Sequence, residues 1–106
     1  MAIQVQVYVQ DHKASLRLNG RFDFNSHREF RSGYEEVLKG QNVKEVEVDL
    51  GNVDYMDSSA LGMLLSLKDK ADVSGKKIIL ANCRGTVLQI LKVANFETLF
   101  SMRGSS

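Results

Sequence analysis

The sequence predicts an α/β domain, a mixed β-sheet with helices packed mainly on one face. Apolar residues recur with a period of two in three segments, as in strands, a fourth segment has the unbroken apolar centre of a buried strand, and three others have a helical period. The predicted order is a hairpin, then helix, strand, helix, strand, helix. Since strand–helix–strand units pair in parallel through right-handed crossovers, the later strands are expected to be parallel. With 106 residues, 43% of them hydrophobic, the chain suits one domain with one core.

The strands are predicted from alternating apolar and polar residues. Asp11 and His12 separate the first two alternating segments, which predicts a turn and a hairpin that ends near Gly20. Lys77–Ala81 has an unbroken apolar centre and is predicted as the fourth strand. The apolar positions of the other three strands are Ile3, Val5, Val7 and Val9; Ala14, Leu16 and Leu18; and Val46, Val48 and Leu50.

The helices are predicted from apolar residues three and four positions apart. Ser26 and Glu29 have the spacing of a capping box at the start of the first helix, and Gly40 is a suitable stop. The second helix is predicted from Ser58 to about Val73, and the third ends at Asn95 in a left-handed conformation. Apolar positions are Phe30, Tyr34, Val37 and Leu38; Ala60, Met63, Leu64, Leu67 and Ala71; and Val87, Ile90, Leu91 and Ala94.

The chain end is predicted to hold one more short strand and a tail. Leu99 and Phe100 are the predicted strand. The domain is therefore expected to cover residues 1–102, and residues 103–106 are expected to form a flexible C-terminal tail.

Composition argues against several functional classes. The formal net charge of +1 comes from 14 basic and 13 acidic residues spread along the chain, which does not suit a nucleic-acid backbone. The apolar stretch Ala60–Leu67 is too short to span a membrane, and the N-terminus lacks a signal-peptide pattern, so we expect a cytoplasmic protein. Cys83 is the only cysteine, and neither His12 nor His27 has a companion at metal-ligand spacing. No cofactor and no metal are expected.

The most informative segment, residues 52–62, follows a strand and opens the second helix. Asp57 and Ser58 are both good N-cap residues, and helix capping alone is one interpretation of them. Two adjacent serines, Ser58 and Ser59, preceded by Tyr55 and Met56, also place a polar step beside apolar groups. This pattern is typical of a docking surface.

This segment resembles the STAS family, whose anti-sigma factor antagonists carry Asp-Ser-[Ser/Thr]-Gly-Leu-Gly between a strand and a helix. In that family the serine directly after the aspartate is phosphorylated by a partner kinase, which corresponds to Ser58. The order of elements and the strand end Gly20–Asp23 also resemble the family, and Asp23 matches an acidic position near the phosphorylated serine. Ala60 departs from the usual glycine, and Arg84-Gly85 departs from the Ser-Pro found before the last helix.

The resemblance implies a STAS-like single domain that acts by protein binding and not as an enzyme. The unphosphorylated form would bind an anti-sigma factor that is also its serine kinase, phosphorylation of Ser58 would release it, and a metal-dependent serine phosphatase would restore binding. The implied partner-binding residues are Asp23, Asp57, Ser58, Ser59 and Ala60, with Ser59 also helping to cap the helix.

Three alternatives are open at this level. The first is a STAS scaffold or sensor in another signalling complex, which does not use the serine. The second is a hydrolase built on Ser58 and His27, although the Gly-x-Ser-x-Gly pattern is absent around Ser58. The third is a magnesium site at Asp49, Asp54 and Asp57, whose spacing also suits solvated carboxylates at a strand end.

Overall fold

A computed structural model describes residues 3–104 of the chain. Its helices and strands alternate as the sequence predicts, and two short 3₁₀ turns lie at Phe24–Ser26 and Phe96–Thr98. In chain order the elements are β1 (Gln4–Gln10), β2 (Lys13–Phe22), α1 (His27–Leu38), β3 (Glu45–Met56), α2 (Ser58–Val73), β4 (Lys77–Cys83), α3 (Gly85–Val93) and β5 (Ser101–Gly104).

The strands form one mixed sheet in the order β1-β2-β3-β4-β5. The β1–β2 hairpin is antiparallel and turns at Asp11, which adopts a left-handed φ of 57°. The remaining neighbours are all parallel, because each connection carries a helix that returns the chain to the same end of the sheet. The predicted fold class is confirmed.

The core lies between the helices and one face of the sheet. Leu16 on β2 is paired with Val48 on β3, and both side chains are fully buried against helix residues such as Leu64 and Leu67. The opposite face is polar, with Arg17 on β2 beside Asp49 on β3. Alternation along each strand therefore directs its apolar side chains to the helices. In residues 3–104, none of the helices combines the length and apolar character needed to cross a lipid bilayer.

The chain end differs from the prediction. The last strand is Ser101–Gly104 and not Leu99–Phe100, because the Phe100 ring stacks on Phe96 at 5.2 Å and is used in the core. Arg103 is paired with Ala81 in the sheet, and its guanidinium forms an ion pair with Glu47. The predicted tail is therefore wrong for residues 103 and 104, while residues 105 and 106 lie outside the described part.

The predicted capping box at Ser26 and Glu29 is also wrong. Ser26 occupies the N-cap position of α1 but its side chain makes no cap hydrogen bond there. Its hydroxyl instead accepts the Asp23 N–H at 3.0 Å and donates to the Arg21 carbonyl at 3.1 Å. Asp23 Oδ1 accepts the Asn25 N–H at 3.0 Å, which completes a capping box around the 3₁₀ turn. Asn95 does end α3 in the predicted left-handed conformation, with φ 61°.

Candidate functional site

Two neighbouring strand ends bring the predicted site residues together. In the parallel β2–β3 pair, Phe22 is the partner of Met56, and each is the last residue of its strand. The Asp57 N–H donates to the Phe22 carbonyl at 3.4 Å and extends this pairing by one residue. Asp23 and Asp57 therefore lie side by side where the two strands end. Phe24, which follows Asp23, is 33 positions from Asp57 in the chain.

Asp57 is the N-cap of α2. Its backbone is extended, with φ −115°, and its Oδ1 accepts the Ala60 N–H at 3.0 Å. Its Oδ2 accepts the Phe24 N–H at 3.3 Å, so one carboxylate ties the helix start to the 3₁₀ turn. Of the two cap candidates in the sequence, Asp57 and Ser58, the structure selects Asp57.

Ser58 and Ser59 begin α2 immediately after the cap. Ser58 is exposed, whereas Ser59 is half-buried and faces α1. Neither hydroxyl is needed for the Asp57 cap, so the prediction that Ser59 helps to cap the helix is not supported by the observed hydrogen bonds. The Ser58 hydroxyl is accessible to an enzyme or a binding partner.

Ala60 lies differently from the prediction. Its side chain has 0% exposure and belongs to the core together with Met63 and Leu64. Since residues three and four positions apart share a helix face, Ala60 must point to the sheet when the apolar stripe of α2 does. The prediction that Ala60 contacts a partner through its side chain is wrong, and the alanine adds apolar volume to the core.

Asp23 is half-buried and already engaged. Besides capping the 3₁₀ turn, it lies 3.4 Å from the Arg21 guanidinium, whose side chain is 57% exposed. An ion pair this exposed contributes little stability, so the cap is the larger structural role. Its carboxylate still adds negative charge beside the start of α2.

Two residues close to Asp57 carry exposed aromatic rings: Phe24, whose N–H binds Asp57, and Tyr55, two positions before Asp57 in the chain. Phe24 is 69% exposed and Tyr55 is 43% exposed. The Arg21 guanidinium stacks over the Tyr55 ring at 4.1 Å from its centroid, which orients the ring. Sequence reasoning included Tyr55 but missed Phe24, whose signal is a large apolar residue outside the helical period. Exposed aromatic residues beside polar groups are typical of protein interfaces.

A groove between α1 and α2 opens beside Ser59 and encloses about 920 Å³. Phe30 and Met63 are among the apolar residues that line it, and Gly62 leaves its α2 wall open. Basic side chains also line it, those of Arg28, Arg31 and Lys70. Sequence reasoning missed this groove, because the separation of two helices is not a property of either sequence segment.

The alternative sites gain no support from the geometry. Asp49 lies on the open face, 3.6 Å from Arg17, and accepts from Asn82 at 2.9 Å, while Asp57 caps α2. The described part of the chain contains no cluster of three or more His, Cys, Asp or Glu side chains that could hold a metal ion. His27 Nδ1 lies 3.0 Å from the Phe24 carbonyl, a contact that needs no catalytic role.

Comparisons with known proteins identify the family of the chain. The family profile described as "Mlab, STAS domain" matches residues 5–102. A STAS-domain containing protein of Pseudomonas aeruginosa, strain UCBPP-PA14, is 43% identical over 102 residues, which cover 96% of this chain and 99% of that protein.

Solved structures show the same fold at lower identity. An anti-sigma factor antagonist from Mycobacterium paratuberculosis superposes with a TM-score of 0.81 at 16% identity, covering 97% of this chain and 86% of its own. The Bacillus cell fate determinant SpoIIAA in its phosphorylated form gives a TM-score of 0.71 at 18% identity, covering 98% of this chain and 92% of its own. The chain belongs to the STAS domain family.

Proposed function

We propose that this protein is a cytoplasmic anti-sigma factor antagonist that binds its partner when unphosphorylated and releases it when Ser58 is phosphorylated. The partner is an anti-sigma factor that also acts as the serine kinase, and a metal-dependent serine phosphatase restores the binding form. The observation that carries the proposal is the exposed Ser58 at the first position of α2, directly after Asp57, whose carboxylate binds the Phe24 N–H.

The relatives support this role at the level of the fold. Anti-sigma factor antagonists are among the structures that this chain resembles, and SpoIIAA has been solved in both unphosphorylated and phosphorylated forms. Residues 57–62 of this chain also match the family motif at every position except Ala60. Because Ala60 is buried, this departure places the added methyl group in the core.

The helix start tolerates a phosphate. A phosphoserine carries about −1.5 to −2 charges at pH 7, and free N–H groups together with the helix dipole favour an anion at this position. The fold should therefore keep its structure after phosphorylation of Ser58. A partner surface packed against the unmodified hydroxyl has no such provision, and it also meets the negative charges of Asp57 and Asp23.

This repulsion is large enough to act as a switch. A loss of about 3 kcal/mol at the contact weakens affinity more than a hundredfold. Phosphorylation thus regulates the partner through local charge and bulk, without a rearranged domain. The N–H of Phe24 is bound by Asp57, and the exposed Phe24 ring supplies apolar contact area at this end of the sheet, in the manner of aromatic interface residues.

The test uses two serine variants that differ by one position. Purified protein is incubated with ATP and kinase fractions of its host, and phosphoserine is mapped by mass spectrometry. We expect Ser58→Ala to abolish phosphorylation and Ser59→Ala, the matched control, to keep most of it. Full phosphorylation of Ser58→Ala would contradict the assignment.

Binding is then measured by calorimetric titration of the anti-sigma factor with the free and phosphorylated forms, with backbone NMR of both. We expect lost affinity with chemical-shift changes confined to the start of α2 and the 3₁₀ turn at Phe24–Ser26. Equal affinity, or shift changes across the sheet, would refute the switch. Phosphorylation without anti-sigma binding would instead favour a scaffold or sensor role.

A further inference from the structure

Strand β1 forms an edge of the sheet, and it lacks the features that usually protect such an edge. Within residues 3–104 it is paired with β2 alone, over seven residues and without a register shift. Its sequence, QVQVYVQ, contains no charge and no proline. Natural proteins commonly block edge strands with charged residues, proline or bulges, since a free edge is a template for another strand.

The geometry of the hairpin determines which backbone groups lie on the free edge. A two-residue loop joins Gln10 to Lys13, so this pair closes the ladder with hydrogen bonds. Hydrogen-bonded pairs then alternate along the hairpin, and every second residue of β1 directs its N–H and C=O away from β2. These residues are Val5, Val7 and Val9.

The free edge is complementary to itself. About a two-fold axis through Val7, an antiparallel second copy places Val5 opposite Val9, Gln4 opposite Gln10, and Val7 opposite its own counterpart. Each residue with outward backbone groups meets another such residue, which gives about six hydrogen bonds. Residues opposite each other share a sheet face, so the valines of both copies lie on the helix side.

The valines also leave apolar surface for a partner. The backbone of α1 packs closely over one end of β1, where a Cβ added at Gly33 would lie 2.8 Å from Val5 Cγ1. Farther along the strand Val7 is 39% and Val9 is 59% exposed. Pairing about Val7 brings the exposed Val9 of one copy beside the covered Val5 of the other.

We propose that β1 is a homodimerisation edge, which pairs with β1 of a second copy about a two-fold axis through Val7 and joins two five-stranded sheets into one. This is the isologous geometry of most homodimers. About one hydrogen bond forms per 100–200 Å² of interface, so about six imply roughly 600–1,200 Å² of buried surface. Interfaces of this size are weak and reversible, and the dimer should form only at high protein concentration.

Sedimentation equilibrium tests the proposal on the purified chain alone. From about 10 μM to about 1 mM protein, where small interfaces associate, we expect the mean mass to rise from monomer towards dimer. Val7→Lys should keep the protein monomeric over this range, because two ammonium groups would meet at the axis. Val73→Lys is the matched control, since Val73 is 90% exposed at the end of α2 and should not affect association. A monomeric wild type at 1 mM, or equal effects of both variants, would overturn the proposal.

A crosslink locates the axis. Hydrogen-bonded antiparallel pairs have Cα atoms about 5.5 Å apart, within the range that a disulfide spans. Under mild oxidation Val7→Cys should form disulfide-linked dimers readily, whereas Val73→Cys should form them slowly. Native Cys83 is buried and stays in place in both variants. Equal rates of dimer formation would refute pairing at Val7, whatever the outcome for phosphorylation of Ser58.

Discussion

Asp57 binds the backbone of Phe24 and in this way joins two segments that are remote in sequence. Its Oδ2 accepts the Phe24 N–H at 3.3 Å while its Oδ1 accepts the Ala60 N–H at 3.0 Å. The same carboxylate thus caps α2 and holds the 3₁₀ turn with its exposed aromatic ring. The start of α2 and the 3₁₀ turn at Phe24–Ser26 therefore depend on Asp57 for their relative placement.

Asp57→Ala should lower the free energy of unfolding by about 1–2 kcal/mol, because it removes a helix cap and leaves the Phe24 N–H without its acceptor. Asp57→Asn keeps an acceptor oxygen and should lose less. Urea denaturation measures both, with Asp54→Ala at an exposed position of β3 as the control. An Asp57→Ala protein as stable as wild type would show that the cap contributes nothing.

Asp23 caps the 3₁₀ turn at Phe24–Ser26, a structural role in addition to the proposed one in binding. Asp23→Ala should destabilise the domain by about 1 kcal/mol, because the capping box around Phe24–Ser26 is lost. Asp23→Asn keeps the cap acceptor but removes the charge. If Asp23 acts on the partner through its charge, Asp23→Asn should change binding of the anti-sigma factor, while the urea midpoint of the variant stays near that of the wild type. Unchanged binding would leave the cap as the only role of Asp23.

Gly62 is exposed on α2, and a Cβ added there would meet no atom within 4 Å. Gly62→Ala should therefore raise stability by about 0.5–1 kcal/mol, since alanine reduces the conformational freedom of the unfolded chain without strain. Thermal unfolding measures the effect. Gly33→Ala is the contrasting variant and should destabilise, because its Cβ would lie 2.8 Å from Val5 Cγ1. Similar effects of the two substitutions would contradict the observed packing.

Cys83 should make stability fall at high pH. Burial, and then the nearby negative charge of Asp49, raise the pKa of its thiol from 9.0 to about 11. Between these two pH values the Cys83 thiol keeps its proton in the folded state and loses it in the unfolded chain. The contribution of the thiol to the free energy of unfolding is therefore complete below about pH 9 and is lost as the pH rises towards 11. The slope is at most about 1.4 kcal/mol per pH unit.

Denaturant titrations from pH 8 to 11 measure this slope, and Cys83→Ala should flatten the profile over the upper part of the range. The native thiol should also react slowly with iodoacetamide at pH 8 and rapidly in urea, because the side chain is only 2% exposed. Fast native labelling, or identical pH profiles for the two proteins, would contradict the raised pKa.

The sequence by itself determined the motif and every element except the last strand, because these patterns are local. Alternation in β2 and β3 and the apolar stripe of α2 reflect which side chains must leave water, and this requirement is written residue by residue. Asp57 followed by two serines similarly marks a helix start that needs a capped N–H. The fold class followed from the order of these elements, since parallel strands require helical crossovers.

Only the tertiary structure decided how these parts meet. The pairing of Phe22 with Met56 places Asp23 beside Asp57. Packing of α2 on the sheet buried Ala60, and pairing with Ala81 drew Arg103 into the sheet. Each of these outcomes depends on contacts between residues distant in the chain, so the geometry of strand pairing and helix packing, and not any local pattern, determines which side chains remain on the surface.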